Sequence, residues 1–457
     1  MIPQRSYTDF SSQLHRRLMP ERPPASGTIE VTRRCSLACR HCYNNLPMGD
    51  AGARDRELST AEHFRLIDDL VEDGCLWLLY TGGEIFARAD FLEIYTYAWK
   101  KGLLITLFTN ATLISERIAD HLARHRPFAV EVTLYGATRE TYERLTDVPG
   151  SYDRCIRGVK LLAERGLPIS IKTVAVSLNW HEISEMERLA EELVGPGSFK
   201  FDGLINARVD CGESPLAVRL KPHELVSLDL GDPERESEFR RLIDYQRGLA
   251  PAPPTSSGGC ACGSQLAGGA GESLYACGAG LTAFAVDPYG GLSMCVLSES
   301  EKYDLRDGSF RDGWTHFLKA IRDRKRSRPG KCAACGLKSL CGTCPATSQL
   351  EHGDPESGVP YFCHVAHLRA HVLGVEPPAH GECEFCRPNG VSEFHGSRYG
   401  ELLESARMVE ETRVDPEWPR RSAEVAAARL RHQPARTDGL IQIQVSSRPK
   451  MTAAGAV

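Results

Sequence analysis

The chain has 457 residues, 42% of them hydrophobic and 25% charged, with a formal net charge of −5. That length predicts two or three domains, and mixed charge of both signs gives no electrostatic footprint for nucleic acid or an anionic membrane. The N-terminal stretch has no apolar signal region and no run of 18 apolar residues occurs, so a cytoplasmic protein without a membrane span is expected. Seventeen cysteines are the outlier. Most sit in short local groups, which favours metal or cluster binding in a reducing compartment over disulfides.

In chain order, residues 1–27 form an N-terminal extension. From residue 28, short β-rich runs alternate with amphipathic helical runs. TIEVTR (28–33), LWLLYT (76–81), LLITLFT (103–109), FAVEVTLYG (128–136), ISIKTVAV (169–176) and SFKFDGLI (198–205) predict strands. AEHFRLIDDLVEDG (61–74), DFLEIYTYAWKKG (90–102), SYDRCIRGVKLLAERG (151–166) and ISEMERLAEELV (183–194) predict helices. Six βα repeats imply a parallel sheet with helices outside, two units short of an eightfold barrel. The expected fold is therefore α/β, with an open, partial (β/α)6 TIM-like barrel over residues 28–215. Binding sites in such folds lie at the carboxyl ends of the strands.

Residues 216–259 read as a linker region, with the Pro/Gly/Ser-rich APAPPTSSGGC (250–260) as its mobile part. Residues 260–375 are cysteine-dense and predict a small, cluster-stapled domain. Residues 376–457 are a C-terminal extension with one helical run, SAEVAAARLRH (422–432), and are expected to be partly disordered, with poor order past about residue 435.

Immediately after the first predicted strand comes VTRRCSLACRHCYNN (31–45), which holds Cys35, Cys39 and Cys42 in a C-x3-C-x2-C spacing. Three thiolates are one ligand short of a structural zinc site or an ordinary cubane cluster. A zinc site completed by His41 or a distant residue is one way to supply the fourth. Taken with Tyr43, directly after Cys42, and Gly82-Gly83-Glu84 at the end of the second strand, the motif resembles that of the radical S-adenosylmethionine (SAM) enzymes.

The resemblance implies that Cys35, Cys39 and Cys42 hold three irons of a [4Fe–4S] cluster, whose fourth iron stays open for SAM. It implies reductive cleavage of SAM to a 5′-deoxyadenosyl radical that abstracts hydrogen from an unactivated carbon. It further implies that Gly82, Gly83 and Glu84 hold the SAM ammonium, and that Asn110, after Thr109, and Thr133 contact its ribose or carboxylate. Arg208, just past strand six, has two readings, a residue facing the site and a surface arginine, and the surface reading is preferred.

The C-terminal half reads Cys277-x12-Gly290-x4-Cys295, then Cys332-x2-Cys335-x5-Cys341-x2-Cys344, then Cys363. This resembles the SPASM extension of radical SAM maturases, although the family has three residues where two separate Cys341 and Cys344. The resemblance implies two auxiliary [4Fe–4S] clusters. One would use Cys332, Cys335, Cys341 and Cys363. The other would use Cys277, Cys295 and Cys344, with Cys260 or Cys262 available as its fourth ligand or, if neither reaches, an open iron where substrate could bind. Structural zinc is the alternative for these C-x2-C pairs. Cys75, Cys155 and Cys211 read as packed apolar residues, and Cys383-x2-Cys386, beyond the expected domain, is open to three readings: a metal site, a redox pair or no role.

The SPASM resemblance implies an oxidoreductase-like maturase that acts on a ribosomally made peptide or protein, installing a crosslink or other C–H modification. A flavodoxin or ferredoxin would supply electrons. Cys295 is followed by Val296, not by the aspartate that sulfatase maturases place there, and Asp287 reads as a turn residue. Only about 27 residues precede the first strand, too few for a leader-binding domain of roughly 80 residues, so a leader peptide, if the substrate has one, is expected to be recognised by a separate leader-binding protein or by another surface. A small-molecule radical SAM dehydrogenase of antibiotic or cofactor synthesis, and a non-catalytic Fe–S or zinc scaffold, are the competing readings.

Overall fold

The structure is a computed structural model. It describes residues 20–431 except 247–248, 250–272, 276, 334, 376, 378 and 389–394, together with 11, 13–14 and 17–18. Cys260, Cys262, the 250–260 linker and the segment past residue 435 lie outside the described residues.

All six predicted strands form: β1 Ser26–Thr32, β2 Trp77–Gly82, β3 Leu104–Thr109, β4 Ala129–Thr133, β5 Ile169–Val174 and β6 Phe199–Asp202. They pair in parallel, in chain order, in an open sheet. Residues alternate between a fully buried face and a half-buried one, most regularly in LITLFT and AVEVT. The buried face (Leu78, Tyr80, Ile105, Leu107, Val130, Val132) lies under the helices. The half-buried face turns towards the barrel interior, as period-2 side-chain alternation requires.

The crossover helices begin where the sequence supplies caps. Ser59 and Glu62 form a capping box at α1 (Thr60–Glu72), and Ser115 caps α2 (Glu116–Arg124). Two helices, Arg139–Thr146 and Ser151–Ala163, fill the β4–β5 crossover.

Three further strands extend the barrel sheet. β7 (Ala283–Val286) pairs in parallel with β1, and β8 (Gly291–Ser293) and β9 (Tyr303–Asp304) follow antiparallel. The start of the cysteine-rich region is therefore part of the same sheet. Phe284 packs against Phe310 and Trp314, within one hydrophobic core that runs from the barrel into the C-terminal half. Arg306 to Glu62 and Arg311 to Asp73 tie this extension to α1.

Residues 222–246 differ from the expected linker. They form two helices, Pro222–Gly231 and Pro233–Gln246. Proline at the first helical turn suits both starts, and Leu225, Val226 and Leu230 are buried. Asp229 accepts hydrogen bonds from Arg369 (2.5 and 3.0 Å) and Arg235 (2.6 Å), which locks the first of them to the helix Pro360–Val372. Beyond the predicted helix, seen as Trp418–Arg431, a second one, Tyr399–Val414, covers the same region. Among the described residues no helix is long and apolar enough to cross a membrane.

Candidate active site: the cysteine loop and the barrel mouth

The cysteine loop leaves β1 at the carboxyl edge of the sheet, as expected. Its backbone docks on the Arg139–Thr146 helix, with Ala38 N–H donating to Thr146 O (2.9 Å) and Arg40 N–H to Leu145 O (3.1 Å). Leu46 N–H returns to Arg33 O (2.7 Å), closing the loop. Arg34 makes a forked pair with Glu57 (2.9 and 3.0 Å), which also accepts from Thr32 Oγ1.

Cys35, Cys39 and Cys42 lie together with Tyr135 against a small cluster containing Leu37, Leu145 and Val176. Burial pushes the Cys35 thiol up to about 12, with a further push from Glu84, and burial raises Cys39 and Cys42 as well. Such thiols ionise when a metal centre takes the place of the proton. Cys35 Sγ accepts from Leu37 N–H (3.4 Å) and Asn110 Nδ2 (3.5 Å), bonds that suit a thiolate ligand. The three thiols do not form the compact group a single ion needs, and His41 does not join them in one. Its ring lies against Tyr135 instead, and burial holds it down at about 4. This donor set fits a cluster, whose own atoms hold its thiolates apart, better than it fits one zinc.

Gly82 and Gly83 sit beside this loop for a reason the sequence did not reveal. Gly82 has φ +129°, and a Cβ on it would stand 2.1 Å from Thr32 O. A Cβ on Gly83 would stand 2.4 Å from Arg34 O and 2.6 Å from Arg33 O. The glycines thus let the β2 exit press on the strand that leads into Cys35. Gly83 N–H donates to Thr32 O (2.7 Å) and Glu84 N–H to Arg34 O (2.9 Å).

Glu84 is fully buried. It accepts from Thr109 Oγ1 (2.8 Å), Asn110 N–H (2.8 Å) and Phe86 N–H (3.2 Å). Burial pushes its carboxyl up to about 7 despite those bonds. Two carboxylate oxygens offer about four acceptor sites, of which these three bonds use three. Asn110 is oriented by Thr112, whose N–H and hydroxyl both donate to its Oδ1 (3.0 and 2.6 Å), leaving Nδ2 on Cys35 and Ser36. Tyr43 points its hydroxyl at the buried Glu30 (2.9 Å), which also accepts from Asn44 (2.6 Å).

Arg208 corrects the surface reading. Its side chain is 15% exposed and its guanidinium donates to Cys42 O (3.3 Å), Asn45 O (3.3 Å) and Asn45 Oδ1 (3.0 Å). Val209 N–H donates to Tyr43 O (2.9 Å), so the chain after β6 clasps the end of the cysteine loop.

Thr133 ends β4 in register with Lys172, which is in register with Lys200. On this interior face Glu131 bridges Lys172 (3.2 Å) and Lys200 (2.7 Å). Burial pushes Lys172 down to about 7, Glu131 opposing. The signal was present in AVEVT, ISIKTV and FKFD, where a charge interrupts each apolar strand.

In the C-terminal half the expected cysteines separate into two sets. Cys332, Cys335, Cys341 and Cys363 line one cavity with Thr343 and Val359. Burial raises the Cys277 and Cys295 thiols, and Cys344 lies close enough to push both up further, as Cys277 does Cys295. Cys335 Sγ accepts from Leu337 N–H (3.4 Å) and Cys344 Sγ from Thr347 N–H (3.5 Å), repeating the bond at Cys35. Cys75 and Cys155 are buried as expected, but Cys211 is exposed, at a turn with φ +65°. Asp287 serves the turn, accepting from Tyr289 and Gly291 N–H and pairing with Lys302.

A parallel partial barrel with three thiols after its first strand, pressed on by a Gly-Gly-Glu turn, defines a radical SAM enzyme. Residues 29–190 match the model of the radical SAM superfamily, so the chain carries a radical SAM domain, and its C-terminal cysteine order is consistent with the SPASM subgroup. It is 26% identical over 349 residues to an AdoMet-dependent heme synthase of Methanosarcina barkeri, covering 73% of this chain and 94% of that protein. It is 28% identical over 348 residues to the mycofactocin maturase MftC of Mycolicibacterium smegmatis, covering 73% and 82%. Streptococcus suis SuiB, in its complex with the precursor peptide SuiA, shares the fold at TM-score 0.54 and 20% identity, over 76% of this chain and 78% of that one. When bound, a [4Fe–4S] cluster and SAM together supply one-electron, hydrogen-abstracting chemistry. Cys35, Cys39 and Cys42 would hold the cluster, with Asn110 and Glu84 next to Cys35.

Proposed function

We propose that this radical SAM enzyme is a maturase that modifies a ribosomally made peptide or protein at a C–H position, forming a crosslink or a related bond. The observation that carries the reading is the second and third cysteine sets, in SPASM order, behind a barrel similar to that of MftC and folded like peptide-bound SuiB. In this reading Cys332, Cys335, Cys341 and Cys363 hold one auxiliary [4Fe–4S] cluster. Cys277, Cys295 and Cys344 hold the other, with Cys260 or Cys262 as a further ligand. The barrel mouth receives the substrate. There Thr133 and the Glu131–Lys172–Lys200 group orient it, and Lys172 exchanges a proton near neutral pH. Gly82, Gly83 and Tyr43 shape the SAM side of the mouth. A flavodoxin or ferredoxin donates the electron, and a separate protein presents any leader segment.

A small-molecule substrate is the second reading, favoured by the similarity to heme synthases at nearly the same identity. The test starts from anaerobic reconstitution with iron and sulfide counted per chain. Dithionite and SAM are then added and 5′-deoxyadenosine is measured. About twelve irons per chain support three clusters. Short peptides encoded beside the gene and a haem precursor are then offered separately. A mass change in a peptide supports the maturase. Turnover of the haem precursor alone overturns it.

A further inference from the structure

His367, His380, Cys383 and Cys386 converge beside the cavity of Cys332, Cys335, Cys341 and Cys363, whose wall includes both histidines, yet none of the four belongs to the cysteine sets of the SAM site or the auxiliary clusters. Each offers one ligand atom, and the four atoms lie within 4.8 Å of one another. Among the described residues no other such group of metal-binding side chains occurs. All four residues are buried, the cysteines at 0% and 1% exposure.

The separations match a single tetrahedral ion. Cys383 Sγ is 3.5 Å and Cys386 Sγ 3.6 Å from His367 Nε2, and Cys386 Sγ is 3.4 Å from His380 Nδ1. Zinc bonds of about 2.3 Å to sulfur and about 2.05 Å to nitrogen, at the tetrahedral angle, put S and N about 3.5 Å apart. A cubane must fit its own irons and sulfides between its ligands, and these four atoms leave no room for them.

The histidine tautomer is also set. His367 Nδ1–H donates to Cys363 O (2.8 Å), which leaves the Nε2 lone pair directed at the two sulfurs. A backbone carbonyl behind a ligating imidazole is the usual support of a metal-bound histidine. Two thiolates, two neutral imidazoles and a dication sum to zero charge, the state a buried site favours. The loop is held from outside as well. Glu384 pairs with Lys331 (2.6 Å), and Phe385, fully buried, lies between His364 and the Arg398 guanidinium.

We infer that His367, His380, Cys383 and Cys386 bind one Zn2+, in a structural centre built beside the auxiliary-cluster cysteines. Binding releases the two thiol protons to solvent and forms two Zn–S and two Zn–N bonds, with no change of oxidation state. The ion joins the segment 380–386 to the helix Pro360–Val372, which carries Cys363 one turn before His367. Cys363 Sγ lies 3.9 Å from Cys383 Sγ, so the zinc centre braces the last ligand of the Cys332–Cys335–Cys341–Cys363 set. The inference stands whatever the substrate proves to be.

The test uses the full chain, purified anaerobically with its clusters. Zinc and iron are counted per chain, and zinc K-edge absorption reads the neighbours of zinc alone. The expected result is about one zinc per chain with two sulfur and two nitrogen neighbours. Cys386→Ser and His380→Ala each reduce the zinc at least fivefold. A chain with its iron complete and no zinc overturns the inference, as does iron or a Cys383–Cys386 disulfide at these residues. Zinc surrounded by four sulfurs also overturns it, because that ion would occupy cluster cysteines. Should both variants fail to fold, the edge spectrum of the unaltered protein still decides.

Discussion

Gly83→Ala isolates the contact between the Gly-Gly-Glu turn and the cysteine loop. The added methyl meets Arg34 O at 2.4 Å and Arg33 O at 2.6 Å, both backbone atoms that no rotamer change can move aside. A carbon–oxygen contact needs roughly 3.3 Å, so one segment must retreat by about 0.9 Å. Retreat stretches the bonds from Gly83 N–H to Thr32 O and from Glu84 N–H to Arg34 O, each contributing about 1 kcal/mol. Overpacking adds about 1–3 kcal/mol. The expected loss is about 2–5 kcal/mol, enough to lower Tm by roughly 5–15 °C for a unit of this size. Cys35 follows Arg34, so the first cluster ligand moves with it. A shift near 1 Å at a reacting centre costs on the order of 100-fold in rate. The assay is 5′-deoxyadenosine formation from SAM and dithionite at matched iron content, with Tm measured alongside. Gly49→Ala is the control, because its methyl meets nothing within 4 Å. A Gly83→Ala enzyme with unchanged Tm and SAM cleavage within about threefold of the parent refutes the close-approach argument.

Replacing Cys35, Cys39 or Cys42 by Ala is expected to abolish SAM cleavage while auxiliary-cluster signals remain in the electron paramagnetic resonance spectrum. Nucleoside formation in all three variants contradicts the ligand assignment. Arg208→Ala removes three bonds to the end of the cysteine loop. It should destabilise the loop by about 1–3 kcal/mol, read as lower Tm and incomplete iron occupancy. Arg208→Lys, which cannot fork, should restore only part. Lys172 carries a pKa lowered to about 7, so between pH 7 and 8.5 the unfolded chain binds the extra proton and stability should rise with pH. The gain is up to about 1.4 kcal/mol per pH unit. Lys172→Met should flatten that slope in denaturant titrations, and an equal slope in both proteins rules the shift out.

Much of the architecture follows from local pattern. Alternating apolar runs such as LITLFT and AVEVT can bury only one face of a strand, and Ser59-x2-Glu62 marks a helix start wherever the chain goes. Cysteines two or three residues apart are neighbours in any fold, so C-x3-C-x2-C and the SPASM spacing were legible before any contact was known. Their place at a strand's carboxyl end followed from strand order.

Long-range pairing was not legible. β7 joins β1 across more than 250 residues, and four residues, AFAV, carry too little periodicity to announce it. The helix Pro222–Gly231 is buried around much of its circumference, so no polar face marks it as a helix, and its lock to Arg369 spans 140 positions. Arg208 resembled any surface arginine until the turn after β6 brought it under Cys42. Gly83 read as a residue that lets backbone approach a ligand, and the sequence did not show that the chain's own Arg33–Arg34 backbone also presses on it. Cys383-x2-Cys386 alone was ambiguous. Only the packing of the Pro360–Val372 helix brings His367 to it, because a tetrahedral site depends on distances in space, and sequence spacing fixes those only within a turn or two.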